Sequence, residues 1–181
     1  MQTPWTFWYC KKNKQSNFET TLVSLGTCNT VEEFFTLYSR LRRPHELQSN
    51  SNLHLFRGNT RPMWENYPSG GQWALRLRKG CLLLSRMWEE LLIACIGENF
   101  DEPDVLGVVI SIRPKEDALF LWNANHHLKY TICEKLKSIL HLPANCPMEY
   151  TTNRHNMERR LAPGKRFSDL ETTSDDMNQP S

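Results

Sequence analysis

Within the segment Gly70–Lys79, large apolar residues alternate with polar or small ones from Gln72 to Arg78. Trp73, Leu75 and Leu77 fall on one side, Gln72, Ala74, Arg76 and Arg78 on the other. A period of two places successive side chains on opposite faces, so residues 72–78 read as a half-buried strand with a cationic outer face. β-Branched and aromatic content predicts further strands at 4–10, 52–57, 105–113, 118–122 and 147–151. Three segments change to a period near 3.6. Residues 31–42 carry a core stripe of Phe34, Leu37, Tyr38 and Leu41, with Thr30 as cap and Glu33 completing a capping box. Residues 86–97, after Ser85, carry Trp88, Leu91, Leu92 and Cys95 on one face. Residues 127–141 carry Leu128, Ile132, Leu136 and Ile139 and stop before Pro143. The interspersed order, without regular β-α-β units, predicts an α+β domain on a mainly antiparallel sheet. The folded domain is expected over residues 4–151. In 152–181 apolar residues nearly vanish and basic residues give way to acidic ones, the pattern of a tail expected to stay disordered.

At 181 residues the chain is long enough for one domain with a real core. A net charge of +2 excludes nucleic-acid binding through bulk charge, so any anion must be met by a local cluster. The six cysteines (Cys10, Cys28, Cys81, Cys95, Cys133, Cys146) form no C-x-x-C pair and no zinc spacing, and free thiols in a reducing compartment are the expectation. Neither a signal peptide nor a membrane-length apolar run is present, the longest such run being residues 91–96. No membrane partner, metal or cofactor is expected. The absence of Walker A, Gly-x-Ser-x-Gly and Gly-x-Gly-x-x-Gly motifs, together with scattered histidines, argues against an enzyme and leaves no catalytic residue to assign.

Six tryptophans are many for this length, and one has no evident core role. Trp64 lies beside Glu65 in the polar loop Arg61-Pro62-Met63-Trp64-Glu65-Asn66. An indole stacks on a base while a neighbouring carboxylate accepts the N1–H and N2 amine of guanine. Methylation at N7 makes the purine cationic and adds cation–π attraction. Arg113 and Lys115, at alternate positions near a strand end, join Arg76 as candidate phosphate ligands. A solvated cationic sheet face and a tryptophan packed under its own loop remain the bland alternatives.

The combination Pro62-Met63-Trp64-Glu65 followed by Gly70-Gly71-Gln72-Trp73 resembles the translation initiation factor 4E family. Blocks at Pro4–Tyr9, Thr30–Phe35, Gly97–Phe100, Gly107–Arg113, Leu119–Trp122 and Leu140–Pro143 look like that family's, in order and spacing, across roughly residues 4–151. Arg76-Leu77-Arg78-Lys79-Gly80, Trp88-Glu89-Glu90-Leu91 and Met148-Glu149-Tyr150 most resemble the divergent 4E-homologous branch, associated with translational repression. The resemblance implies a curved, mainly antiparallel sheet backed by three helices, with the 7-methylguanosine cap of mRNA held in the concave face. It places Trp64 and Phe18 on either side of the base, Glu65 on its edge, Arg113 and Lys115 on the phosphates, with Arg76 in support, and Trp122 near the N7-methyl group. Phe18 stands where the main initiators have tryptophan and the divergent branch tyrosine, and Ala118 where the initiators have another lysine. Both departures imply weaker cap binding.

The same resemblance implies a dorsal surface for helical peptides with a Tyr-x4-Leu-apolar motif, of the kind carried by initiation scaffolds and 4E-binding proteins. Val31 and Phe35 are one turn apart on the first helix. Glu89, Glu90 and Ile93 lie off the core face of the second. Phe35 stands where the family almost always has tryptophan. The expectation is a monomeric, cytoplasmic cap-binding regulator of initiation, with nuclear or RNA-granule residence also open. Two alternatives stay open: an initiator that recruits a scaffold, or a paralogue that acts only as an interaction module.

Overall fold

A computed structural model describes residues 1–11, 18–101 and 103–160, with the side chains of residues 18 and 19 outside that description. Seven strands form one curved sheet: β1 (Trp5–Lys11), β2 (Val23–Cys28), β3 (Ser51–Arg57), β4 (Gly71–Arg78), β5 (Val105–Ile112), β6 (Glu116–Asn123) and β7 (Glu149–Thr152). They lie in the order β2-β1-β3-β5-β6-β4-β7, every neighbouring pair antiparallel. The helices are α1 (Phe18–Thr21), α2 (Val31–Arg40), α3 (Leu84–Ile96), α4 (Lys129–Ile139) and α5 (Asn153–Arg160).

Alternation along the strands divides the molecule in two. Trp5, Phe7, Leu53, Leu55, Trp73, Leu75, Val108, Ile110, Leu119 and Leu121 face α2, α3 and α4 and form the main core. The three long helices seal it with the stripes expected of them. Phe34 and Tyr38 of α2 are buried, Trp88, Leu91, Leu92 and Cys95 of α3 almost wholly so, and Ile132 and Leu136 of α4 likewise. Phe7 stacks on Phe34 with ring centroids 5.7 Å apart, and the Trp73 indole N–H donates to the Lys129 carbonyl at 2.8 Å. Burying such aromatics supplies much of the driving force for folding, since each removes about 150–250 Å² from water.

Local signals are obeyed with small shifts. Thr30 accepts from the Glu33 amide, but the Glu33 carboxylate reaches the Asn29 amide at 2.7 Å, one residue earlier than a standard capping box. α3 begins at Leu84 rather than after Ser85, and the Ser85 hydroxyl instead meets His45 Nδ1 at 3.0 Å. β2 has no counterpart among the expected strands. It is a sheet edge in which only Cys28 is fully buried, and Gly26, at φ 139°, sits opposite Phe7 where the β1–β2 register shifts. An exposed, bulged edge strand lacks the alternation that marks a half-buried one.

The larger difference is α5. The expected domain ended at Thr151, yet residues 153–160 form a helix in which Asn153, Asn156 and Met157 are buried. Hydrogen bonds hold it in place of an apolar stripe: the Asn153 side chain donates to the Tyr67 carbonyl at 2.8 Å, and its amide to the Gly70 carbonyl at 3.0 Å. A hydrophobicity pattern does not register an anchor of that kind.

Candidate ligand-binding site

The opposite face of the sheet carries a second, smaller cluster of Trp8, Cys10, Leu22, Phe56, Leu106, Val109 and Trp122. Above it opens a cavity of about 470 Å³, within the range of about 300–1,000 Å³ usual for small-molecule sites. Its floor comes from the positions that alternate with the core: Cys10 of β1, Asn52 and His54 of β3, Val109 and Ser111 of β5, Phe120 and Trp122 of β6. Its wall is the loop between β3 and β4, where Pro62 and Met63 are buried and a single 3-10 turn, Trp64–Asn66, carries the indole and the carboxylate.

Trp64 and Trp122 lie nearly parallel, ring centroids 6.3 Å apart at 17°. Trp122 is held edge-on against Phe56 at 5.3 Å. Among the described residues the buried Trp64 indole N–H has no hydrogen-bond partner. Glu65, about half exposed at the rim, accepts from Arg160 Nη1 at 3.0 Å, and the Arg160 guanidinium lies 5.5 Å from the Trp64 ring centroid. Two flat π-faces, one rim carboxylate and a polar floor suit a planar, electron-poor heterocycle with N–H donors along one edge.

The expected cations are not gathered here as a trio. Arg113 lines the cavity, but its Nη1 donates to the carbonyls of Ser51 and Ile112 at 3.1 and 2.9 Å and its Nη2 to Asn52 Oδ1 at 2.7 Å. Burial also holds its guanidinium below its ordinary range. Arg76 is outside the cavity lining, drawn to Glu116 at 2.5 Å and Glu149 at 3.3 Å. The registers Arg76↔Ala118 and Ala74↔Glu149 explain this: both carboxylates are diagonal neighbours of Arg76 across β4. Lys115 is exposed in the β5–β6 turn. Phe18 opens α1, and its side chain lies outside the described residues.

Several cavity residues are absent from the sequence-based candidates. Asn52, His54 and Ser111 alternate with core residues, so the period of two contained their signal. His54 is fully enclosed, its Nε2 3.7 Å from Cys10 Sγ. Burial, with the nearby Arg113 charge, pushes its pKa down to about 3, so the imidazole is neutral at physiological pH. Arg160 had no such signal.

On the helical side Val31, Phe35 and Ile93 are exposed. Glu89 lies near enough to Tyr38 to raise the phenol's pKa, though burial is the larger cause. Glu90 is paired with Arg86 one turn away at 2.8 Å. Among the described residues no cluster of three or more His, Cys, Asp or Glu is placed to hold a metal, and no helix is long and apolar enough to cross a membrane.

Fold and cavity together give a sheet backed by helices on one face and, on the other, an aromatic cleft with an acidic rim. The chain belongs to the eukaryotic initiation factor 4E family, whose profile matches residues 1–166. It is 32% identical over 163 residues to eukaryotic translation initiation factor 4E1 of Drosophila melanogaster, a match covering 86% of the chain and 63% of that protein. It is 36% identical over 152 residues to eukaryotic translation initiation factor NCBP of rice, covering 79% and 66%. The chain thus spans slightly less than two thirds of the length of these relatives. Among solved structures, eIF4E-3 of Ascaris suum in complex with an m2,2,7G cap superposes with a TM-score of 0.79 at 31% identity, covering 84% of this chain and 89% of that one. Caenorhabditis elegans eIF4E-3, in complex with the 4E-binding protein Mextli and a cap analogue, gives 0.80 at 29%, covering 90% and 96%.

Proposed function

We propose that this chain binds the 7-methylguanosine cap of mRNA in the Trp64–Trp122 cleft and regulates translation initiation as a 4E-homologous, repressor-like protein. The observation that carries this reading is the joint placement of two near-parallel indoles and the Glu65 carboxylate at the mouth of one nucleotide-sized cavity. Glu65 accepts from the N1–H and N2 amine of guanine, and the cationic methylated ring stacks on indole, with Phe18 as the second sandwich face. Arg113 and the exposed Lys115 meet the phosphates. The Ascaris and C. elegans complexes with cap ligands support the ligand class, and the Mextli complex supports a 4E-binding protein as a partner class. The exposed Val31, Phe35 and Ile93, with Glu89 and Glu90 beside them, are the surface proposed for it. The resemblance of the 76–80 and 88–91 segments supports the branch.

Tryptophan fluorescence tests the ligand. Titration with 7-methyl-GTP quenches emission, and GTP does so far more weakly. An equal response to both, or none to either, overturns cap binding and favours an interaction module that has lost the ligand. That second reading draws on one observation, the ion pair that already occupies Glu65.

A further inference from the structure

The residue at the mouth of the cleft is itself a ligand mimic. Guanine's Watson–Crick edge, N1–H and the N2 amine on C2, is a cyclic guanidine unit, and methylation at N7 gives the base a positive charge. The Arg160 side chain is a planar guanidinium cation with N–H donors. It donates to Glu65 at 3.0 Å and lies 5.5 Å from the Trp64 ring centroid. These are the two groups through which the proposed base is read.

The placement is fixed by a whole helix face. Asn153, Asn156, Met157 and Arg160 stand at i, i+3, i+4 and i+7 of α5 and so share one side. The first three are buried, Asn153 tied to Tyr67 and Gly70 of the loop that bears Trp64. Two turns on, the same face delivers Arg160 to the rim. Among the described residues the buried Trp64 indole N–H is unpartnered, so the ring is held here by its π-face contacts and not by a hydrogen bond.

We infer that Arg160 is a built-in competitor for the guanine subsite, and that α5 sets the affinity of the cleft by holding it there. The inference rests on the cap reading. A ligand has to displace the guanidinium from both partners before the base can enter. A protein whose competent state is a fraction of the whole binds more weakly by that fraction, and every ligand that needs the same state is penalised equally.

The test compares dissociation constants of 7-methyl-GTP and GTP for the whole chain and for Arg160→Ala and Arg160→Lys. Exposed cation–π contacts and surface ion pairs of this strength predict that Arg160→Ala binds both nucleotides about three- to tenfold more tightly. The ratio between the two nucleotides should stay the same. Arg160→Lys, a cation without the planar fork, should fall between. In the free protein the Arg160 Nε–H resonance should carry a ring-current shift that Trp64→Ala removes and saturating 7-methyl-GTP also removes. Unchanged or weaker binding by Arg160→Ala, with the unsubstituted chain still binding 7-methyl-GTP, overturns the competitor role. So does a gain confined to one nucleotide. If the unsubstituted chain and Arg160→Ala both fail to bind either nucleotide, the cap reading falls first and the competitor role goes with it.

Discussion

Replacing Glu65 by glutamine removes one charge and almost no volume, so its effect reports the chemistry of the rim. A carboxylate that accepts two donors from a cationic base gains about 1.5–3 kcal/mol per charge-assisted hydrogen bond. Glutamine keeps one acceptor and turns an N–H₂ toward a donor, so the gross loss is about 3 kcal/mol. Part of that is offset in the free protein. Glu65 is already bonded to Arg160, both side chains a little under half exposed, and an ion pair so open to solvent is worth only about 0.2–1 kcal/mol. The glutamine variant has no such pair to break. The net expectation is about 2 kcal/mol, or roughly 30-fold weaker binding of 7-methyl-GTP by isothermal titration calorimetry. Thermal stability should hardly change, because the lost pair is screened. In an Arg160→Ala background the same substitution should cost more, by about two- to fivefold in affinity, because nothing is then recovered from the broken pair. A loss smaller than threefold in both backgrounds would show that Glu65 does not read the base.

The buried His54 makes stability fall in acid. Its folded pKa of about 3 lies below the ordinary 6.5, so the unfolded chain binds the proton first and stability drains away as pH falls below 6.5. At pH 5 this amounts to about 2 kcal/mol, and thermal melts of His54→Gln between pH 7.5 and 5 should show a flatter profile; parallel profiles would refute it. Gly107→Ala should destabilise by about 3 kcal/mol or prevent folding, since a Cβ there meets the Leu55 carbonyl and lies 2.7 Å from the Phe56 ring. A soluble variant with an unchanged denaturation midpoint would contradict that. Phe35→Ala and Ile93→Ala, at half-exposed dorsal positions, should leave stability within about 0.5 kcal/mol. Each should weaken a Tyr-x4-Leu-apolar peptide at least threefold in fluorescence anisotropy, and unchanged affinity in both would remove the dorsal assignment.

How much of this was legible in the sequence depended on which physics held each part. The stripes of α2, α3 and α4 and the alternation of β4 were readable because apolar burial repeats with the period of the element. β2 was not, because an edge strand broken by a left-handed glycine at a bulge buries only Cys28 fully and has no alternation to read. Trp64 and Glu65 were legible as an aromatic and an acid with no core to serve, and the family resemblance supplied their setting. The ion pairs of Arg76 were not legible, because a cationic strand face shows charge without showing what opposes it. Glu116 and Glu149 become its neighbours only through strand register, which is non-local. Arg160 was invisible for a related reason. Its helix is anchored by asparagine hydrogen bonds, and nothing in the local pattern of residues 153–160 points toward a loop some 90 positions earlier.

The strand order carries a consequence for assembly. β3 and β4 follow one another in the chain but are separated in the sheet by β5 and β6. The connection bearing Trp64 and Glu65 therefore arches across a gap that the later β5–β6 hairpin fills, and the same hairpin brings Val109, Ser111, Phe120 and Trp122 as the floor. On a ribosome, a chain emerged only as far as β4 has the wall of the cleft and the β1 and β3 part of its floor, and lacks the part that β5 and β6 supply. Closing the long loop comes before the contacts that reward it, which makes this the slow kind of contact to form. The cleft is a keystone joint, complete only once the sheet around it has closed. A mutation that merely delays docking of that hairpin would lengthen the time before the cleft exists and leave the finished molecule unchanged, because the same hairpin carries Val108, Ile110, Leu119 and Leu121 into the main core.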